Sequence, residues 1–183
     1  MGFFDRFKKK KEEPAQIDPL HDLRLDKMKV GYLVDYSAKT WEVVGFNLYE
    51  FGPRDTAEEW SLRADGALCF LERYEDDEVE WSFCKKIRIA AIEENVTKHI
   101  QQFDEPPRKI TYQGTTFTLD EEDGGRYLEG GRPPGQEFLA WTFIDDEEEQ
   151  FVTIEQWGEN DFEAAAGFYV EEYEFTNILP GVR

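Results

Sequence analysis

Hydrophobic and polar residues alternate along most of the chain from residue 23 onward. Segments such as "TWEVVGFNLYEF" (40–51) and "ALCFLERY" (67–74) combine this period-two alternation with aromatic and β-branched residues. The same pattern returns in "EFLAWTFID" (137–145) and "QFVTIEQWG" (150–158). Such segments are typical of half-buried β-strands. The pattern predicts an all-β protein.

Breaks in the alternation divide the chain into four parts. We assign residues 1–22 to a basic aromatic tip and linker arm, and residues 23–92 to a first β half. Residues 93–107 form a connection, in which one short helical turn precedes Pro106 and Pro107 because proline ends a helix. Residues 108–183 form a second β half.

The two halves can be aligned with each other. "VDYSAKTWEV" (34–43) matches "ITYQGTTFTL" (110–119) without a gap. Further along, the alignment pairs Trp60 with Trp141, Leu71 with Ile154, Glu72 with Glu155 and Tyr74 with Trp157. An internal duplication explains these matches. We therefore predict two related hairpin-rich halves with a shared core, docked as one small barrel- or sandwich-type body, and a flexible N-terminal arm.

Charge is distributed unevenly along the chain. The formal net charge is −20, but residues 1–11 carry five basic residues and one acidic residue, a net of +4, so the remainder carries −24. Phosphate backbones are bound mainly through Lys and Arg, so the acidic body excludes nucleic acid as a partner. The same charge suggests one alternative function, an acidic decoy that binds basic proteins.

The basic tip has the composition of a short interfacial anchor. If residues 2–10 form a helix, its phenylalanines share one side and its lysines flank them. An anionic membrane surface attracts each Lys by about 1 kcal/mol. We therefore predict docking to a membrane or a protein partner by the following tip residues: Phe3, Phe4, Phe7, Lys8, Lys9, Lys10 and Lys11.

The remaining sequence signals favour a cytoplasmic protein, peripheral at most to the inner face of the membrane. No export signal precedes Cys69 and Cys84, so we expect two reduced thiols. No segment approaches the roughly 20 apolar residues that span a bilayer. The sequence leaves the oligomeric state open.

Candidate catalytic chemistry is sparse. Neither His21 nor His99 has a partner close in sequence for general-base work, and no nucleophile or metal motif occurs. The acidic runs 120–125 and 145–149 lack the spacing of a calcium loop and are interpreted as solvated hairpin turns. We therefore expect no enzyme activity, no cofactor and no metal site.

Two glutamates stand out because they occupy equivalent places in the two halves. Glu72 and Glu155 each lie beside core-type residues. We interpret them as structural hydrogen-bonding groups at a sheet edge. The alternative is that they serve a ligand site or a catalytic site in a pocket between the halves.

Several segments resemble a known bacterial family. They include "VGYLVDYSAKTWEVVGF" (30–46), "EEWSL" (58–62), "CFLERYE" (69–75) and "EFTNILPG" (174–181). A further run, "FVTIEQWGENDFEAAAGFYV" (151–170), supplies the most specific residues, which are Ile154, Glu155, Trp157, Glu163, Ala164 and Gly167. Together with "ITYQGTTFTLDEEDGGRY", these segments resemble the family catalogued as domain of unknown function 4178, over about residues 28–181.

The resemblance implies a bacterial, cytoplasmic, β-rich domain without an established activity. Such proteins look like accessory members of systems with membrane-associated and stress-response components. With the tip, this favours a non-catalytic adaptor or scaffold that binds a protein partner in a membrane-adjacent assembly. The alternatives are a small-ligand-binding or catalytic β-barrel and the acidic decoy.

Overall fold

A computed structural model describes residues 23–181, and this part of the chain is almost entirely β-structure. The first half contributes five strands and the second half six. Their bounds are β1 Leu33–Tyr36, β2 Lys39–Gly52, β3 Asp55–Ala64, β4 Ala67–Glu75, β5 Val79–Ile87, β6 Lys109–Tyr112, β7 Thr115–Glu129, β8 Gln136–Ile144, β9 Gln150–Gly158, β10 Asp161–Val170 and β11 Thr176–Leu179. The prediction of an all-β fold is confirmed.

Eight of these strands close into an antiparallel barrel. Within each half, consecutive strands pair as hairpins, β2 to β5 and β7 to β10. Two seams join the halves. At the short seam β2 pairs with β7 from Asn47–Glu129 to Glu50–Arg126, and at the long seam β5 pairs with β10 from Ile87–Ala164 to Trp81–Val170. The barrel form of the prediction is therefore the correct one.

A glycine allows close backbone approach at each seam. A Cβ atom at Gly125 would lie 2.1 Å from the carbonyl oxygen of Glu50, on the partner strand of the short seam. A Cβ atom at Gly167 would lie 2.5 Å from the carbonyl oxygen of Phe83 at the long seam. Only glycine permits such approach without displacement of the backbone.

The strands outside the barrel and one α-helix, the only one within residues 23–181, cover the outer surface of its wall. Strands β1 and β11 extend the sheet beside β2, and β6 extends it beside β7. Helix α1, Val96–Phe103, begins at Asn95, whose side chain accepts a hydrogen bond from the Lys98 amide, and it ends before the two prolines. The predicted helical turn in the connection is confirmed. Within residues 23–181, no helix has the length and apolar character needed to cross a membrane.

Two hydrophobic cores lie on the outer face of the wall, and each is built mainly by one half. The first outer core surrounds Trp60, which is 1% exposed and donates an indole hydrogen bond of 3.1 Å to the Met28 carbonyl. The second outer core surrounds Trp141, also 1% exposed, beneath Val96 and Ile100 of α1. The two aligned tryptophans therefore occupy equivalent positions, each in its own core.

The two halves share buried residues in two places. One is a smaller cluster inside the barrel, with Tyr49 and Ala57 from the first half and Phe138 and Ala140 from the second. The other is the first outer core, to which the second half contributes residues of β10 and of the segment before β11. The halves therefore share a core as predicted, but most buried apolar residues lie in the outer cores. Period-two alternation sends the larger apolar side chains outward in both halves, which leaves the inward positions to polar and aromatic residues.

The two halves also repeat each other in fine structure. Strand β2 has an irregularity between Val43 and Gly45, and β7 has one between Leu119 and Glu121. Val43 and Leu119 are the residues that the internal alignment pairs. A β-bulge is a specific feature of a sheet rather than a defect. Bulges at equivalent positions in both halves therefore agree with the proposed duplication.

One predicted turn is instead part of a strand. The acidic run from Asp120 to Gly125 lies inside the 15-residue strand β7. Its glycines suggested a loop, but Gly125 is required by the short seam, where β7 continues to pair with β2.

Candidate functional site

The barrel interior contains a partly open cavity of about 220 Å³ that both halves line. At roughly 30 Å³ per molecule of liquid water, this volume equals about seven water molecules. It is smaller than the usual pocket for a drug-sized ligand. A second cavity of about 230 Å³ shares Tyr49, Glu59, Phe70 and Lys86 with it. The interior therefore has room for a compact molecule.

Three glutamates, which we call the interior carboxyl cluster, line this cavity: Glu59 on β3, Glu72 on β4 and Glu155 on β9. Each follows or precedes a side chain that is anchored in an outer core. The anchoring neighbours are Trp60, Leu71 and Ile154, all 1% exposed or less. Because neighbouring side chains on a strand point to opposite faces, these anchors direct the three carboxyl groups inward.

Two of the three glutamates are held by hydrogen bonds. The amide nitrogen of Asn47 donates to Oε1 of Glu59 at 2.8 Å, and the Tyr49 hydroxyl donates to Oε1 of Glu155 at 3.2 Å. The backbone amide of Gly130 donates to Oδ1 of Asn47 and so fixes the orientation of that side chain. Tyr49 lies on β2 and Glu155 on β9, so their hydrogen bond crosses the barrel interior.

Glu72 is in a different position. It lies directly opposite Glu59 on the neighbouring strand, and Ser82 is its cross-strand neighbour on the other side. Like charges in directly opposite positions repel each other. The side-chain hydrogen bonds inside the barrel serve Glu59 and Glu155, and within residues 23–181 none reaches the carboxyl group of Glu72.

Burial and mutual repulsion raise the pKa values of the cluster. Removal from water, together with the charges of Glu59 and Glu155, raises the pKa of Glu72 to about 8. Removal from water raises the pKa of Glu59 to about 7, against the opposing hydrogen bond from Asn47. The pKa of Glu155 is also raised by burial, while Lys86 and the Tyr49 hydroxyl oppose the shift. The cluster therefore exchanges protons near neutral pH.

Aromatic side chains form the rest of the cavity surface. The ring of Phe138 lies 5.3 Å from Tyr49 and 5.9 Å from Phe51, both in edge-to-face arrangements. Phe51 also contacts Tyr74, at 6.3 Å. We call these four residues the aromatic wall. The hydroxyl groups of Tyr49 and Tyr74 donate to Glu155 and Asp55, so aromatic and acidic groups of the cavity lie next to each other.

More carboxylates and one base complete the cavity lining. The four additional acidic residues are Asp55, Glu80, Glu121 and Asp123. Burial raises the pKa of Glu80, and it also raises that of Glu121 and Asp123, where neighbouring carboxylates add to the effect. The single basic residue of the lining, Lys86, forms an ion pair with Glu163 across the long seam. The cavity therefore carries a large excess of acidic groups.

A larger and more open depression, of about 980 Å³, lies at the end of the barrel beside the β2–β3 hairpin. It shares Phe51 and Phe138 with the interior cavity, and Trp157 also contributes to it. Arg126 and Glu50 also line this depression, and they form an ion pair of 2.7 Å across the short seam. Its polar groups do not converge, so the smaller interior cavity is the better candidate site.

The structure assigns structural positions to several residues singled out in the sequence. His99 contacts the carbonyl oxygen of Glu105 at 2.8 Å, close to the end of α1. Asp145 is not a solvated turn residue as predicted: it is 6% exposed and accepts backbone hydrogen bonds from Glu149 and Gln150. The interpretation of that turn as fully solvated was wrong because its first carboxylate holds the turn together.

The two cysteines are free, and neither has the character of a nucleophile. Cys69 is buried in the first outer core, and Cys84 lines the cavity. Burial raises the pKa of the Cys84 thiol well above its ordinary value, and the three glutamates of the cluster add to the effect. A thiol with a raised pKa stays protonated and unreactive. Tip residues 3–11 and His21 lie outside the described residues.

The interior can bind and exchange protons, but it lacks the constellation of a known reaction. A carboxyl group with a pKa near 7 could act as a general acid or base. Among residues 23–181, no group of three or more His, Cys, Asp or Glu side chains is arranged to hold a metal ion. Binding of a small molecule is therefore the simplest chemistry that this lining supports.

Sequence reasoning found two members of the cluster and missed the third. Glu72 and Glu155 were noticed because the internal alignment pairs them. Glu59 was missed because the equivalent residue in the second half is Ala140. The interpretation of Glu72 and Glu155 as sheet-edge residues was wrong, because both β4 and β9 are paired on both sides. A carboxylate placed directly before or after a core residue in three strands is the signal that would have found all three.

Comparison with known proteins adds a family and a relative. A family model described as domain of unknown function (DUF4178) matches residues 29–172. The chain is 28% identical over 182 residues to an uncharacterized protein of Aquifex aeolicus (strain VF5), covering 98% of this chain and 99% of the relative. No solved structure matches it. With a match over most of its length and the predicted all-β body present, the chain belongs to the DUF4178 family.

Proposed function

We propose that this protein is a small-molecule-binding β-barrel whose ligand occupies the interior cavity. One observation carries the proposal: polar and aromatic side chains from both halves converge on a recessed, partly open space of about 220 Å³ inside the barrel. Protein interiors are normally close-packed, with few voids larger than a water molecule. A polar void bounded by raised-pKa carboxyl groups is costly to maintain, and ligand binding gives a reason for it.

The location of the cavity supports the same function. Its lining comes from strands of both halves, and Tyr49 of the first half bonds to Glu155 of the second. A ligand in this space therefore contacts both halves at once. This places the second of the sequence-based hypotheses, a ligand-binding barrel, ahead of the adaptor and decoy hypotheses.

The adaptor hypothesis remains a separate proposal. It depends on docking of the tip residues to a protein or to an anionic membrane, and those residues lie outside the described range. The acidic decoy likewise rests on net charge alone. Neither is favoured by a contact within residues 23–181, and neither conflicts with an occupied barrel. The cytoplasmic and membrane-adjacent location is a proposal of the same kind.

The test uses three probes that share a cyclohexyl ring and differ in charge: cyclohexanol, cyclohexylamine and the slightly larger cyclohexanecarboxylate. Each is titrated into the full-length, isotope-labelled protein, and the methyl resonances of Ala140, Thr153 and Ala165, which line the cavity, are followed by NMR. Binding of at least one probe should shift these resonances selectively. Dissociation constants near the millimolar range are expected for ligands of about seven non-hydrogen atoms.

A cavity-filling variant supplies the control. Ala165→Leu places extra volume in the cavity and should abolish the shifts, whereas Ala67→Leu, an exposed position in the β3–β4 turn region, should leave them unchanged. If none of the probes moves the interior methyl resonances of the unmodified protein, the proposed function is wrong. That criterion does not depend on whether Ala165→Leu folds.

A further inference from the structure

The charges that face the cavity are strongly unbalanced. Seven carboxyl groups line it, the three of the interior cluster and the four named with it, against one ammonium group. That ammonium group, on Lys86, is already paired with Glu163. A buried carboxylate normally has a counter-charge or several hydrogen bonds. Of the seven, Glu59 is buried, Glu72 and Glu155 are half-buried, and Glu80 and Glu121 are exposed to water. The deficit of positive charge therefore concerns mainly the interior carboxyl cluster.

Glu72 shows this deficit most clearly. Its cross-strand neighbours are Glu59 and Ser82, and the donors Asn47 and Tyr49 are directed to the other two carboxyl groups. Among the described residues, no side chain donates a hydrogen bond to the carboxyl group of Glu72. A carboxyl group in this position can either keep a proton or accept a hydrogen bond from a bound molecule.

The aromatic wall beside the cluster is suited to an apolar or cationic group. Its neighbouring rings, those of Tyr49, Phe51, Tyr74 and Phe138, lie with centroids 5.3–6.3 Å apart. Aromatic rings attract ammonium groups through their quadrupoles, and the attraction increases when the cation is removed from water. Charge-assisted hydrogen bonds from an ammonium group to carboxylates are stronger than neutral ones.

We propose that the cavity binds an organic ammonium cation with a small apolar body, and that the cation enters in exchange for protons held by the interior carboxyl cluster. This rests on the proposed function and names its ligand class. The ammonium group contacts Glu72 and its neighbours Glu59 and Glu155, while the apolar body packs on the aromatic wall. An anionic ligand would meet the same carboxyl groups with repulsion.

Proton exchange gives the proposal a distinctive pH dependence. The carboxyl groups of the cluster have raised pKa values, of about 7 for Glu59 and about 8 for Glu72. An alkylammonium group, like that of lysine, stays protonated to about pH 10. Affinity should therefore increase as the pH rises from about 6 to about 8.5, because fewer protons must be displaced. A neutral hydroxyl ligand should not show this increase.

The experiment compares cyclohexylamine with cyclohexanol by calorimetry and NMR, at about pH 6 and about pH 8.5. At the higher pH we expect the amine to bind about tenfold more tightly than the alcohol, or better. We also expect its binding enthalpy to depend on the ionisation enthalpy of the buffer, since protons are released. The amine affinity should increase several-fold between the two pH values.

Matched variants locate the effect. Glu72→Gln should lower amine affinity about tenfold and reduce the pH dependence, with little effect on cyclohexanol. Glu147→Gln, an exposed carboxylate in the β8–β9 turn, changes net charge equally and should change nothing. This control separates the interior site from general attraction to an acidic protein.

The outcomes distinguish failure of the ammonium proposal from failure of the ligand-binding function. If cyclohexanol or cyclohexanecarboxylate binds the interior as tightly as the amine, the ammonium proposal is overturned and the ligand-binding function stands. If amine binding is equal in Glu72→Gln and Glu147→Gln, it is surface ion pairing, and the ammonium proposal is also overturned. If no probe reaches the interior methyl groups, both proposals fail.

Discussion

The two faces of the barrel wall have opposite character. The outer face carries two hydrophobic cores, in which Trp60, Trp141, Phe143 and Leu71 are at most 1% exposed. The inner face carries the interior carboxyl cluster, a partly open cavity and an aromatic wall. Both faces are built from the same strands, one residue apart. Stability is therefore concentrated on the outside of the barrel, and the inside is free to accept groups that folding alone would not favour.

The barrel can contain destabilising groups in its interior because its outer face stabilises the fold. Buried apolar area stabilises a fold by roughly 25 cal/mol per Å², and here the helix and the outer strands supply that burial. The inner carboxyl groups oppose it through desolvation and repulsion. Functional sites often carry such a stability cost. Substitutions on the two faces should consequently change stability in opposite directions.

The largest expected effect is on the outer face. Trp141→Ala should lower the free energy of unfolding by about 3–5 kcal/mol, because it leaves a large cavity beneath α1. Urea denaturation followed by fluorescence measures the change. Leu139→Ala is the matched control: Leu139 is 46% exposed on the same strand, and its truncation should cost less than about 0.5 kcal/mol. Equal costs at the two positions would contradict an anchoring outer core.

The second effect is on the inner face and has the opposite sign. In the folded protein the pKa of Glu72 is raised from 4.5 to about 8, so the folded state holds a proton that the unfolded chain releases. Its contribution is complete below about pH 4.5 and is lost as the pH rises through about 8. Glu72→Gln cannot lose a proton. It should stabilise the protein by up to about 3 kcal/mol at pH 8.5 and by much less at pH 5.

Urea titrations of the Glu72→Gln variant at the two pH values check this prediction. Glu147→Gln again serves as the charge-matched control, and its stability should follow the unmodified protein closely. A variant with the same dependence of stability on pH as the unmodified protein would show that Glu72 is not a proton-holding group of the folded interior.

A smaller effect should separate the two outer cores. The indole of Trp60 donates to the Met28 carbonyl, whereas the buried indole nitrogen of Trp141 has no hydrogen-bond partner within the described residues. Replacement by Phe removes a similar volume at both sites, but at Trp60 it also leaves a buried acceptor unpaired. Trp60→Phe should cost about 1 kcal/mol more than Trp141→Phe in matched thermal and urea unfolding experiments.

The smallest effect on stability is expected from the tip. Deletion of residues 2–11 should leave the melting temperature of the body nearly unchanged and abolish sedimentation with anionic vesicles at low salt. The intact protein should be released from the vesicles as ionic strength increases. Equal vesicle binding by both proteins would remove the membrane hypothesis. A large drop in melting temperature would mean that Phe3, Phe4 and Phe7 pack onto the body and add to its outer surface.

Local patterns in the sequence predicted the strands well and their closure only in general terms. Alternation marks individual strands such as β4 and β9 because side chains follow a fixed period. It carries no information on which distant strands pair. The β2–β7 seam joins residues about 80 positions apart, and its main local signal, Gly125, suggested a turn instead. Closure depends on long-range packing that a local pattern cannot encode.

The site was predictable to the extent that the halves repeat. Comparison of the halves selected Glu72 and Glu155, and both line the cavity. Their inward direction was not predicted, because either face of an isolated strand can be the buried one. Here both faces are covered, and the more hydrophobic one packs outside. Glu59 is paired with Ala140, and its partner Asn47 lies outside the aligned segments, so neither could be found in this way.

The unequal lengths of the two seams determine where the closed wall is weakest. The long seam joins seven residue pairs and the short seam only four. We expect the wall to open first where the fewest residue pairs join two strands, which is at the four pairs from Asn47–Glu129 to Glu50–Arg126. They also carry Asn47 and Tyr49, which reach Glu59 and Glu155. Transient separation of β2 from β7 would expose the interior cavity while both outer hydrophobic cores stay packed. Local opening at this seam would therefore not require global unfolding.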